Sequence, residues 1–179
     1  MALNGTMVKI ETVTVGSGGA ASIDFQNIPS TYTDLVLKVS ARAESGSEIT
    51  DGVFVRFNNN STSGDYDFRR LYGNGSSAVS NTSTGANADT PINGNSTTAN
   101  TFGNLEIYVP NYTASTNKSI SIDGVVENNA TSAFASIIAG IWKQTAAINR
   151  ITLSIAGGSD FAQYSTATLY GISRTTSQI

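Results

Sequence analysis

Two acidic side chains separated by a single residue, Asp65 and Asp67, follow a stretch rich in Gly, Asn and Ser at 60–64. Carboxylate oxygens in a loop of this kind are ligands that Ca²⁺ accepts, but no Glu completes the spacing of an EF-hand loop. A solvated turn, in which the aspartates cap backbone amides, is the favoured interpretation. The sequence leaves calcium binding by this pair open.

Other groups that could carry out catalysis are scarce. Six more acids could in principle supply the carboxylate pair of a glycoside hydrolase: Asp24, Asp51, Glu106, Asp123, Glu127 and Asp160. The sequence does not define the distance between any two of them. The chain has no Cys and no His, which excludes a Cys nucleophile, a Cys/His zinc site and a Ser-His-Asp triad. We therefore predict a protein that is not an enzyme and needs no metal or cofactor.

Basic and aromatic residues are the better candidates for function, as parts of an interface. Arg69 and Arg70 are the only adjacent basic pair, and could hold a carboxylate of a partner or brace a sheet edge. Trp142 ends the segment FASIIAGIW, which is apolar on both faces and is either central in the core or covered on one face by another subunit. Tyrosines at predicted strand ends suit a protein or sugar interface. The interface candidates are Arg69, Arg70, Tyr72, Tyr112, Phe134, Ile138 and Trp142.

The elements that position these residues follow from an alternation of apolar and polar residues with a period of two, which is typical of β-strands. Nine strands are predicted, or ten if 66–72 is counted, separated by turns rich in Gly and Asn. No stretch supports a long amphipathic helix. We predict an all-β fold, an antiparallel β-sandwich of jelly-roll type.

Two segments fall outside the alternation. Residues 1–6 are predicted to form an N-terminal arm, and 7–179 a single sandwich domain. Within that domain, 73–101 has almost no apolar residue beyond Val79 and Ile92. It is predicted to be a long polar loop that becomes ordered only against a neighbouring subunit, because it cannot repay its own backbone entropy. We therefore expect a homo-oligomer, with a trimer as the favoured form.

The composition narrows the class of partner. Charged residues make up 13% of the chain, about half the usual share. Ser, Thr, Asn and Gly supply 79 of the 179 residues, so hydroxyls and amides replace charge at the surface. The net charge of −3 provides no electrostatic footprint for nucleic acid or for an anionic membrane. We expect neither as a partner.

Four segments carry a resemblance to a known group of proteins. They are IPSTYTDLVLKVSARAES, RFNNNSTSGDYDFRRLYGNG, EIYVPNYTASTNKSISIDGVVENN and IAGIWKQTAAINRITLSIAGGSDFAQYSTATLYGI. The chain resembles, over roughly residues 7 to 172, virion structural proteins of tailed bacteriophages, many of them marine. The resemblance implies a particle component and transfers no catalytic residue.

The expected function is that of a capsid decoration, or cement, protein that bridges and stabilises major capsid subunits. The alternative is a tail or fibre-associated module that binds host surface glycan through exposed Tyr, Asn and Trp142. The start, MALNGT, has neither the basic nor the apolar stretch of a signal peptide. We expect synthesis in a host bacterial cytoplasm and a final location in the virion.

Overall fold

A computed structural model gives the fold of residues 6–44, 49–85, 88–127 and 133–173. The described residues form twelve strands and one short 3₁₀ turn at Ala156–Gly158. The strands are β1 (Met7–Thr14), β2 (Ser22–Phe25), β3 (Asp34–Ala41), β4 (Thr50–Phe57), β5 (Tyr66–Gly73), β6 (Ala78–Gly85), β7 (Ala88–Asn93), β8 (Gly103–Val109), β9 (Lys118–Val126), β10 (Phe134–Trp142), β11 (Ile151–Ile155) and β12 (Thr166–Ile172).

The strands form two antiparallel sheets packed face to face. The large sheet has the order β1-β12-β3-β8-β9-β10-β5-β6, and the small sheet has the order β2-β11-β4-β7. Without β5, β6, β9 and β10, the other eight strands, renumbered along the chain, lie in the orders 1-8-3-6 and 2-7-4-5. These are the two interleaved sheets of a jelly roll. The predicted all-β sandwich is confirmed.

The large sheet is twice as wide as the small one, because β9, β10, β5 and β6 extend it beyond β8. We call these four strands the extension. Edge strand β7 of the small sheet contacts β9, and contacts β10 and β5 less extensively. The extension therefore projects past the sandwich, and its outer strands have little covering them on either face.

The segment 73–101 is not the long polar loop predicted from the sequence. It contains β6 and β7, so the strand count is twelve rather than nine or ten. Strand β6 has no apolar alternation because it lies at the exposed margin of the extension. Strand β7 buries Ala88, Thr90, Ile92 and Asn93 in the sandwich. Small and hydroxylated side chains fill core positions there, which hydropathy does not reveal.

The turn after β7 is held by a buried guanidinium group. Arg42 donates hydrogen bonds to the carbonyl oxygens of Asn95 (2.9 Å) and Thr98 (3.0 Å) and to the hydroxyl of Thr97. The turn is thus ordered by its own chain. Of the predicted arm, residues 1–5 lie outside the described residues, while the carbonyl of Thr6 accepts a hydrogen bond from the N–H of Ser173 (3.0 Å).

Aromatic residues fill the core where the extension joins the sandwich. Trp142 lies edge-on to Phe57 with ring centroids 5.5 Å apart, and stacks on Tyr66 at 6.4 Å. Lys118 reaches under this cluster, and its ammonium donates to the carbonyls of Ala114 (2.7 Å) and Thr116 (2.6 Å). Strands β4, β5, β9 and β10 are joined through these contacts.

Tyr66 makes the stability of this core sensitive to alkaline pH. Burial raises the pKa of Tyr66 to about 12, although the N–H of Phe57 donates to its hydroxyl (2.9 Å) and favours the ionised form. A folded-state pKa above the unfolded value means that the unfolded chain loses its proton first. Stability from this group is complete below pH 10 and declines as the pH rises towards 12.

We expect the free energy of unfolding to fall by on the order of 2 kcal/mol across that range through Tyr66 alone. Urea unfolding at successive pH values measures the slope. The variant Tyr66→Phe should be less stable overall but should show a shallower alkaline decline. Equal slopes for the two proteins would contradict this assignment.

Candidate assembly surface

Three large apolar side chains lie exposed together on the outer face of the extension. Leu71 on β5, Val125 on β9 and Ile137 on β10 are 54%, 49% and 61% exposed. Ile137 is the direct cross-strand neighbour of Leu71. Val125 lies opposite Ala135, which is two residues before Ile137 on the same face of β10. We call Leu71, Val125 and Ile137 the apolar patch. All three are among the residues that line a shallow depression of about 400 Å³.

Polar residues lead up to the patch along the cross-strand row that contains it, although the outer face also carries apolar side chains elsewhere, such as Met7 and Ile172 at the β1 margin. One row of cross-strand neighbours crosses the whole large sheet: Thr12, Thr168, Lys38, Glu106, Asp123, Ile137, Leu71 and Ser80. At its polar end the hydroxyls of Thr12 and Thr168 share a hydrogen bond of 3.0 Å, and Lys38 forms an ion pair with Glu106. Along this row the apolar side chains begin at Ile137 on β10, one strand into the extension.

Three of the interface candidates lie in the core. Tyr112, Ile138 and Trp142 are all buried within their own chain, so they cannot contact a partner. The apolar strand β10 was identified correctly, but Ile138 faces inward and Ile137 faces solvent. The signal for the patch was present in the adjacent apolar pairs Ile137–Ile138 and Val125–Val126, because neighbouring strand residues point to opposite faces.

The other four candidates lie on the extension, and three of them are brought together. Arg69 is on the outer face, in register with Ala139, and Arg70 points to the opposite face. The two guanidinium groups therefore cannot grip one carboxylate as a pair. Arg70 lies over the ring of Tyr72 at 5.1 Å, and Tyr72 contacts Phe134 with ring centroids 5.9 Å apart. Arg70, Tyr72 and Phe134 form a half-buried cluster on the inner face.

Asp65 and Asp67 are occupied by protein groups. Asp65 accepts hydrogen bonds from the side-chain amides of Asn60 (2.8 Å) and Gln144 (2.9 Å). Asp67 accepts from the Thr84 hydroxyl (2.6 Å) and is paired with Lys143 (3.0 Å), which together hold its pKa below the usual range. A calcium ion would have to displace a lysine. Asp67 lies on β5 rather than in a turn, and both carboxylates accept from side chains instead of capping backbone amides, so the predicted turn is only partly correct at Asp65.

The acids whose contacts the structure gives outside this pair do not form an enclosed carboxylate pair within the described residues. Asp24 is held by the guanidinium of Arg150 at 2.8 Å. Glu106 and Asp123 are direct neighbours across β8 and β9, but they lie on an open sheet face, and Glu106 is paired with Lys38. A glycoside hydrolase places its two carboxyl groups on either side of the scissile bond, in a cleft that holds the sugar ring. In the part of the chain that the structure describes, no group of three or more acids could hold a metal ion.

Fold and surface together define the class as an all-β sandwich of jelly-roll order with an outward apolar patch. Comparison of the chain with protein-family models, with curated proteins and with solved structures finds no match. Among the described residues, no helix has the length and hydropathy to cross a membrane.

Proposed function

We propose that the chain is a bacteriophage virion structural protein, a capsid decoration or cement protein that bridges and stabilises major capsid subunits. The observation that supports this most is the apolar patch on a sheet extended beyond the jelly roll. An exposed apolar cluster rimmed by polar residues is typical of a protein–protein contact. The low content of charged residues and the resemblance of segments between residues 7 and 172 to virion proteins agree with it.

The proposed action is that of a clamp. The outer face of the extension lies against a capsid subunit and buries the apolar patch. Leu71, Val125 and Ile137 are already about half covered, so each contributes about 1 kcal/mol on full burial. The binding free energy gained per copy is modest, but its sum over all the copies on the shell is large. The polar half of the sheet stays in contact with water.

The alternative is a tail or fibre module that binds glycan, and the main residue predicted to contact the sugar is not accessible. Trp142 is buried against Phe57 and Tyr66 and cannot stack on a sugar. Tyr66 and Tyr112 are also buried. Tyr164 is exposed on a turn and Tyr32, Tyr72, Tyr108 and Tyr170 are half-buried, so this alternative keeps tyrosines but not its only tryptophan. We therefore favour the capsid over the tail.

Removing the patch should weaken attachment to the particle. The double variant Leu71→Ser/Ile137→Ser changes two cross-strand neighbours that face solvent, so it should remain folded. We expect at least a tenfold loss of binding to particles that lack the native protein. The matched control is Thr12→Ala/Thr168→Ala, a cross-strand pair at the polar end of the same row, which should bind normally.

Copy number per particle then separates shell from tail. A decoration protein is present in hundreds of copies, whereas a tail component is present in far fewer. Equal binding by the two double variants would show that the apolar patch does not attach the protein to the particle. A low copy number would favour a location in the tail. Self-association as a trimer stays a prediction from the sequence.

A further inference from the structure

The margin of the extension is an unprotected sheet edge. Strand β6 pairs with β5 on one side, and no described strand pairs with it on the other. It runs for eight residues, AVSNTSTG, without a charge or a proline, and nearly all of it is exposed. A long uncharged edge of this kind is a ready template for pairing with another strand.

The other three sheet edges carry protective features. Edge strand β1 has Lys9 and Glu11 and a register shift between them. Edge strand β2 has only four residues, and β7 contains Pro91, which cannot donate to a partner strand. Charges, bulges, short length and proline are the usual means by which proteins block edge pairing. Only β6, among the edges that the structure describes, lacks all of them.

The main-chain groups of β6 that face outward can be identified. The carbonyl of Ser77 accepts from the N–H of Asn74, and that of Gly85 accepts from the N–H of Gly64, so both point towards the β5 side. Direction alternates along an antiparallel strand. The N–H and C=O groups of the even-numbered residues therefore point away from the sheet. These residues are Ala78, Ser80, Thr82 and Thr84.

We propose that β6 pairs with β6 of a second copy of this chain, antiparallel about a two-fold axis that passes by Asn81. Full overlap of the outward groups places Ser80 opposite Thr82 of the second copy, and Ala78 opposite Thr84 of the second copy. This register makes about eight main-chain hydrogen bonds. It joins two eight-stranded sheets into one.

A second copy fits this edge better than a foreign strand because the register is self-complementary. Every cross-strand pair in it is uncharged, and Ser opposite Thr is a favourable pair. A two-fold contact is also closed, so it ends at a dimer instead of growing into a fibre. Both apolar patches come to lie on the same face of the joined sheet, separated by about five strand spacings between the two β10 strands. The pairing stands on the edge geometry and does not depend on the proposed function.

Cysteine cross-linking tests the register directly because the chain has no native Cys. In the proposed pair, the two Asn81 residues face each other without main-chain bonds between them, at a Cα separation of about 4.5 Å, within disulfide range. Asn81→Cys should therefore form a disulfide-linked dimer under mild oxidation. The matched control Val79→Cys places its two sulfurs about four residues apart, near 13 Å, and should not cross-link.

Mixing Val79→Cys with Ser83→Cys should restore cross-linking, since these positions face each other in the same register. Cross-linking of Asn81→Cys no faster than of Val79→Cys would overturn the proposal. So would capture of a foreign strand at β6 while the pure protein stays monomeric.

A second test uses charge in the unmodified, Cys-free chain. Ser80→Lys should lower the dimer affinity at least tenfold, since it places one unpaired lysine charge in each of the two central pairs between positions 80 and 82. Ser80→Lys/Thr82→Glu should recover it, because the introduced lysine then faces the introduced glutamate of the second copy. Sedimentation equilibrium of the wild type across micromolar to sub-millimolar concentrations should show a dimer. A strict monomer, or a trimer without even-numbered species, would contradict the pairing.

Discussion

Replacing Trp142 with Ala should lower the free energy of unfolding by about 3–5 kcal/mol. The side chain is 1% exposed and fills the space between the two sheets at the root of the extension. Its loss removes the edge-on contact with Phe57 and the stack on Tyr66, and leaves a cavity that neighbouring strands cannot close. For a chain of this length the melting temperature should fall by about 10 °C.

The control for this variant lies on the same strand. Ile137→Ala shortens an outward side chain of β10 and should change the free energy of unfolding by no more than about 0.5 kcal/mol. Trp142→Phe provides a second comparison, because the indole Nε1 has no hydrogen-bond partner in the described part of the chain. It should cost less than half as much as Trp142→Ala. Far-UV circular dichroism in urea is the measurement, since the fluorophore is itself removed.

Replacing Arg42 with Ala should cost about 3 kcal/mol and release the turn at 94–101. The guanidinium is almost wholly buried and serves as the common donor for this turn. Its removal leaves the buried Thr97 hydroxyl and the carbonyls of Asn95 and Thr98 without their charged donor. Hydrogen exchange of the amides at 94–101 should become faster than that of the strands around them.

Arg42→Lys tests whether charge or geometry matters. A lysine ammonium cannot reproduce the planar fork that contacts several acceptors at once, so this variant should recover only part of the loss. Arg69→Ala, on the exposed outer face of β5, is the matched control and should be close to wild type. An Arg42→Ala protein with unchanged exchange at 94–101 would show that the turn is held by other contacts.

The alternation of apolar residues predicted the all-β sandwich because each of its strands is stabilised by burying one face. Strands such as β3 and β8 can be predicted from the alternation of apolar and polar residues alone, because they bury Leu35, Leu37, Leu105 and Ile107. Strand β6 could not be predicted in this way, because both of its faces meet solvent and its residues therefore show no alternation of apolar and polar side chains. Strand β7 could not be predicted either, because its core positions include the polar residues Thr90 and Asn93.

The candidate site was predicted in part. The sequence pointed to β10 and to its two apolar faces, which left open a central position in the core or cover of one face by another subunit. It could not say which isoleucine faces outward, because a shift of one residue exchanges the faces. Nor could it reveal that Leu71 and Val125, 54 residues apart in the chain, become neighbours of Ile137.

By itself, the sequence determined an all-β chain with a surface of hydroxyls and amides, without the Cys and His that most nucleophilic and zinc sites need. Those properties depend on residue type and local spacing. Only the tertiary structure decided that four strands extend one sheet beyond the sandwich, that Trp142 faces the core, and that β6 ends the sheet with its main-chain groups unpaired. These outcomes depend on which strands lie side by side, and that order is set by contacts between residues far apart in the chain.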